Sequence, residues 1–185
     1  MNLDAVIQQI RIFAPVFEGR VAGAADYALA ADQIWLQQPA AYVTPLEDDA
    51  GENENQTGLY QVVREKIGVV VDLSNAVDPT DRRGQGPVTQ AVYQYRAALW
   101  AALLNWRPDP VNQARGFAYA GGGLVGGGLT RQWLRWQFDF VVETTVTTAD
   151  GWHPPSEPLR EIQGTVVNQD SGAIAAEFRA NPAQT

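Results

Sequence analysis

The stretch YAGGGLVGGGLT, residues 119–130, sets two glycine triplets around Leu124 and Val125. Its glycines at 121, 123 and 126 spell G-x-G-x-x-G, the spacing that lets a backbone approach a pyrophosphate in nucleotide-binding proteins. That chemistry needs a helix opening directly after the glycines, because the helix N-terminus supplies the N–H groups and partial positive charge that hold phosphate. The context fails. Downstream, Leu134, Trp136, Phe138, Phe140 and Val142 alternate with Arg135, Gln137, Asp139 and Glu143, the period of a strand with one buried face. Upstream, ARGFAYA is itself strand-like, and no Lys-Ser or Lys-Thr follows the last glycine, which excludes a Walker-type loop. The run is therefore expected to be a supple hairpin between two strands. Glycine costs about 0.5–1 kcal/mol relative to Ala in regular structure, so such a hairpin gains most where a neighbouring subunit orders it.

Working outward, Leu3, Val6, Ile7 and Ile10 recur at helical spacing, with Asn2 as a cap and Pro15 as a stop. A short extended piece is expected around residues 17–21, then an alanine-rich helix over roughly 23–36. AAYVTPL, residues 40–46, reads as a short buried strand, and residues 61–73, QVVREKIGVVVDL, as a long strand entering the core at its far end. Between them EDDAGENENQTG has almost no apolar side chain and should project into solvent. Asn, Asp, Pro and Gly crowd SNAVDPTDRRGQGP into a second polar loop. Then Val88, Val92, Tyr95, Leu99 and Leu103 mark a helix that Pro108 ends, with Arg96 on its far face. After Thr148 the composition turns to prolines and small residues, and Ile162, Thr165, Val166 and Val167 suit one added strand. The pattern predicts an α/β (α+β) fold: a mixed, mostly antiparallel sheet with two or three helices packed on one face. It divides into a domain over residues 1–147 and a C-terminal extension over 148–185 with a flexible end.

With 185 residues and 45% apolar composition, one substantial core is affordable. No apolar run reaches the roughly 20 residues of a spanning helix, and the start MNLDAVIQQIRIF lacks a basic leader, so no membrane association or secretion is expected. The chain has no cysteine and one histidine, His153, which removes disulfides, thiol nucleophiles and multi-histidine metal centres. A formal charge of −8 argues against a surface that grips the DNA backbone. Asp48, Asp49, Glu52 and Glu54 do not match a calcium-loop spacing, and His153 has no nucleophile and orienting acid suggested beside it. No catalytic residue, metal or cofactor is expected. Arg82 and Arg83, beside Asp78 and Asp81, read either as interface partners or as a solvated turn. Trp133 and Trp136 are expected on opposite faces of their strand, so one is free to meet a partner.

A resemblance gathers these pieces. APVFEGRVAGAADYALA, QQPAAYVTPLEDDAGENENQTG, VVVDLSN, LLNWRPD and FAYAGGGL, in this order over residues 1–147, resemble the tail terminator proteins of long-tailed bacteriophages of the Mu-like and siphophage type. The resemblance implies a non-enzymatic subunit of a homohexameric ring that caps the tail tube, ends its polymerisation and joins the tail to the head-side connector. Its implied partners are copies of itself, the tail tube protein and the head-tail connector protein, with DNA passing through the channel without sequence-specific binding. Its implied place is the neck of the virion, assembled in the host bacterial cytoplasm. The interface candidates are Glu47, Asp48, Asp49, Glu52, Glu54, Arg82, Arg83, Gly122, Leu124, Val125, Gly127 and Trp133. The alternatives are another neck protein, connector or tube-like, and an enzyme binding nucleotide at residues 121–128.

Overall fold

The computed structural model describes residues 1–26, 28, 39–74, 86–129, 133–153, 162–167 and 174–180. It divides into two compact units, Met1–Asp150 and Gly151–Thr185. The first opens with helix α1, Leu3–Phe13, whose cap is Asn2: its side chain accepts from the amides of Asp4 (3.0 Å) and Ala5 (3.3 Å). Asp4 in the first turn and Arg11 in the last complement the helix dipole. Val6 and Ile10, four residues apart, are its buried face.

Residues 17–21 are not an extended piece. Pro15, with its fixed φ, starts a 3-10 turn over Pro15–Phe17, and Glu18 and Gly19 then reverse the chain at φ 50° and 77°. This drops Phe17 fully into the core, stacked 5.3 Å from Tyr95. Strand β1, Val21–Gly23, follows; residues 24–26 are helical, and most of the helix expected over 23–36 lies outside the described residues.

Strands β2 (Ala40–Pro45), β3 (Asp49–Ala50) and β4 (Tyr60–Ser74), helix α2 (Gly86–Leu103), and strands β5 (Ala118–Leu129) and β6 (Trp133–Thr147) complete the unit. Helix α2 stops at Leu103, before Pro108, because Asn105 takes a left-handed φ of 62°. The six-stranded sheet runs β1-β2-β4-β6-β5 with β3 beside β4, and only β1–β2 is parallel. It is the mixed, mostly antiparallel α+β sheet that the pattern predicts.

Alternation sorts the side chains by face. Ala41 and Val43 of β2, Ile67, Val69, Val71 and Leu73 of β4, and Leu134, Phe138, Phe140 and Val142 of β6 share one buried cluster with Val6 and Ile10 of α1 and Leu99 and Leu103 of α2. Both helices therefore cover the same face. The other face holds a smaller cluster of Ala40, Tyr42 and Val70, with Ala22 and Val125 against it.

The glycines extend strand β5 rather than forming only a turn. The first triplet pairs with β6, Gly121 opposite Asp139 and Gly123 opposite Gln137, whereas the second lies in a register shift between Leu124 and Leu129, close to the connection with β6. A register shift between Tyr119 and Gly121 leaves Ala120 as a bulge, and Gly121 takes a φ of 153° that side chains rarely adopt. A Cβ on Gly122 would stand 2.6 Å from the Tyr119 hydroxyl and 2.8 Å from the Gln137 carbonyl oxygen. Glycine is here because aromatic neighbours and the adjacent strand occupy its side-chain space.

The second unit contains β7 (Ile162–Val167) and β8 (Ile174–Ala180), an antiparallel pair. The single strand expected from Ile162 to Val167 has a partner the sequence reading missed, since the Ala-rich run Ile174–Ala180 has only Ile174 as a β-branched residue to announce a strand. Among the described residues no helix is long and apolar enough to cross a membrane.

Phe140 is fully buried and touches the rings of Phe117 and Tyr119. Phe140→Ala is expected to cost about 3–5 kcal/mol, read from the midpoint of chemical denaturation, because the fixed strands on either side cannot close the cavity.

Candidate assembly surface

Glu47, Asp48, Asp49, Glu52 and Glu54 are all exposed on the segment that leads from β2 to β4. The segment is built rather than loose. Asp49 and Ala50 pair with Arg64 and Val63, and the Gly51 amide donates to the Val62 carbonyl at 2.9 Å. The Asn53 side chain then organises the tip: its oxygen accepts from the amides of Asn55 (3.1 Å) and Tyr60 (2.9 Å), and its nitrogen donates to the carbonyls of Asn55 (3.0 Å) and Gly58 (2.9 Å). Hydrogen bonds replace the apolar burial that this sequence cannot supply.

Arg82 and Arg83 lie outside the described residues. Gly122 is exposed on β5, Leu124 is 47% exposed opposite Trp136, and Val125 packs toward Ala40, Tyr42 and Val70. Gly127 continues β5, while Trp133 starts β6 opposite Ser74. The described candidates thus fall on the acidic segment, on strand β5, whose outer edge pairs with no strand among the described residues, and at the start of β6.

Across the sheet face away from the helices, the sequence reading missed a set of charged side chains. Asp72 and Arg135 stand opposite each other in the β4–β6 register and form a two-pronged ion pair, Nε to Oδ1 at 2.7 Å and the second guanidinium nitrogen to Oδ2 at 3.1 Å. The pair is buried, at 12% and 8% side-chain exposure for Arg135 and Asp72. The signal was a lone Asp inside VVVDL, a charge that a buried strand tolerates only when paired. At the other end of the same two strands Arg64 meets Glu143 at 3.1 Å, and with Asp49, Lys66, Arg115 and Ala118 they line an open trough of about 340 Å³. That exposed pair contributes about 0–1 kcal/mol.

Among the described residues no group of three or more His, Asp or Glu side chains is placed to hold a metal ion, and His153 is exposed. The glycines lead along β5 and on to β6, so no helix N-terminus faces them from that side as a phosphate site requires.

Tyr42 stands beside the Asp72–Arg135 pair. Burial chiefly, and the Asp72 carboxylate next, push its hydroxyl from 10.0 up to about 12, with Arg135 acting in the opposite sense. Because the folded state favours the neutral phenol, Tyr42's contribution to stability is complete below about pH 10 and is lost as pH rises toward about pH 12. Tyr42→Phe is expected to flatten that part of the stability-against-pH curve, measured by urea denaturation at stepped alkaline pH. Removing one partner of the buried pair, as in Arg135→Leu, is expected to cost about 3–5 kcal/mol, whereas Asp72→Val with Arg135→Leu recovers most of it. Equal destabilisation in the single and double variants would contradict the pairing.

The family model described as phage tail terminator protein matches residues 1–150. No curated protein matches the sequence. Among solved structures, a chain of the "Virion of native gene transfer agent (GTA) particle" aligns at a TM-score of 0.45 and 15% identity, covering 77% of this chain and 93% of that one. The family match spans the whole α+β unit and carries the assignment: this chain belongs to the phage tail terminator family and is a structural protein of the phage tail.

Proposed function

We propose that six copies of the chain close into a ring that seats on the finished tail tube, stops further addition of tube subunits and offers its opposite face to the head-side connector. The ring sits at the neck of the virion, assembles in the host bacterial cytoplasm, and lets DNA through its channel without reading sequence. The observation that carries this is the family match over residues 1–150. Physical chemistry supports it. A net charge of −8 disfavours adhesion of DNA to the wall it slides past. The outer edge of β5, which pairs with no strand among the described residues, and the preformed acidic segment are different surfaces, and contact between unlike patches repeats into a closed ring when the rotation allows. The candidate residues Glu47, Asp48, Asp49, Glu52, Glu54, Arg82, Arg83, Gly122, Leu124, Val125, Gly127 and Trp133 belong to those contacts in this reading. The ring works by fit alone, with no catalytic residue and no cofactor, and residues 148–185 form an extension beyond the core domain.

Electron microscopy of purified protein and of isolated tails is expected to show a six-fold ring at the head-proximal end. A chain that stays monomeric at high concentration and is absent from tails would refute the proposal.

A further inference from the structure

Helix α2 has the position of a surface helix and the composition of a buried one. Among its 18 residues, GPVTQAVYQYRAALWAAL, Arg96 is the sole charge. Surface helices ordinarily turn an apolar stripe to the core and charges to water, whereas a helix apolar all round is buried on all sides. Leu99, Ala102 and Leu103 face the core as expected. The opposite side carries Tyr93 at 57% exposure, exposed Ala97 and Ala101, and, just past the helix end, Leu104 at 39%.

Arg96 is held flat on this side. Its guanidinium lies 4.7 Å from the Tyr93 ring centroid and 4.9 Å from that of Trp100, one turn to either side. No carboxylate among the described residues pairs with it. The start of strand β5 meets this helix: Trp100 lies 5.2 Å from Tyr119, and just outside the two elements Leu104 bridges Phe117. The 12 residues of β5, AYAGGGLVGGGL, include neither a charge nor a proline, two of the devices that keep edge strands from pairing.

We propose that the outer face of α2, from Tyr93 to Leu104, is the seat of a second copy of this chain, and that Arg96 receives a carboxylate from it. The proposal rests on the ring reading and names one of its contacts. Charge selects the occupant. The chain has 21 Asp and Glu against 13 Lys and Arg, and the described surface concentrates that surplus on Glu47, Asp48, Asp49, Glu52 and Glu54, with no cation among residues 47–58. Asn53 already holds that segment in shape, so docking it costs little ordering. Arg96, fixed between two rings, loses little on receiving a carboxylate fork, and Arg, Tyr and Trp are the side chains that dominate binding energy at interfaces.

Ala101→Glu places a charge on the exposed face without touching the core, and Arg96→Glu reverses the sole cation. Both are expected to keep the wild-type circular dichroism and melting temperature while self-association, measured by sedimentation velocity and native mass spectrometry, weakens by at least about tenfold. Adding Glu52→Lys and Glu54→Lys to Arg96→Glu is expected to restore association; no restoration overturns the acidic segment as the docking element. If Arg96→Glu fails to fold, Ala97→Glu gives the same reading. Ala101→Glu rings of wild-type strength overturn this surface and leave the ring itself standing. Variant rings that form normally but no longer seat on tails assign the face to another particle protein and overturn the second-copy contact. A wild-type chain that is monomeric alone and in tails overturns the ring reading and this contact with it.

Discussion

The pairing of β4 with β6 is the constraint on which the rest of the first unit depends. It runs unbroken from Tyr60 opposite Thr147 to Ser74 opposite Trp133. Because side chains alternate, this single register puts Val69 against Phe138 and Ile67 against Phe140 beneath the helices, and Asp72 against Arg135 on the far side. A slip of one residue would exchange the two faces, burying Arg135 under α2 and exposing the phenylalanines, so hydrophobic burial and ion pairing enforce the same alignment.

That alignment places the core on one face of the sheet. One face of the sheet is closed by α1 and α2, which supply Val6, Ile10, Leu99 and Leu103 to the common core. Among the described residues the sheet has β5 at one edge, a strand with no charge along its length. Among the described residues the polar groups include an acidic segment, an open trough and a guanidinium between two rings.

The nucleotide-like spacing of the glycine run has no matching architecture, and its conformational freedom is spent on a bulge at Ala120 and on fitting Gly122 between Tyr119 and Gln137. An edge strand made of such residues keeps its backbone accessible, since few side chains stand guard over it.

Much of the architecture is legible in the amino-acid sequence. The spacing of Val6 and Ile10, the cap at Asn2 and the alternation from Leu134 to Val142 act over one to four residues, the range at which helices and strands are decided, so the types of these elements follow from sequence alone. The ordered motifs likewise point to the family that the match over residues 1–150 assigns. Only the tertiary structure decided that the glycines belong to a strand, that Phe17 enters the core through a 3-10 turn, that Asp72 finds Arg135 and that Arg96 lies between two rings on an open face. The ion pair joins residues 63 apart in the chain, and the others depend on how turns and side chains settle against their neighbours. Local periodicity fixes which way a side chain points, and what it meets there is set by strand register and by the space that neighbouring side chains leave.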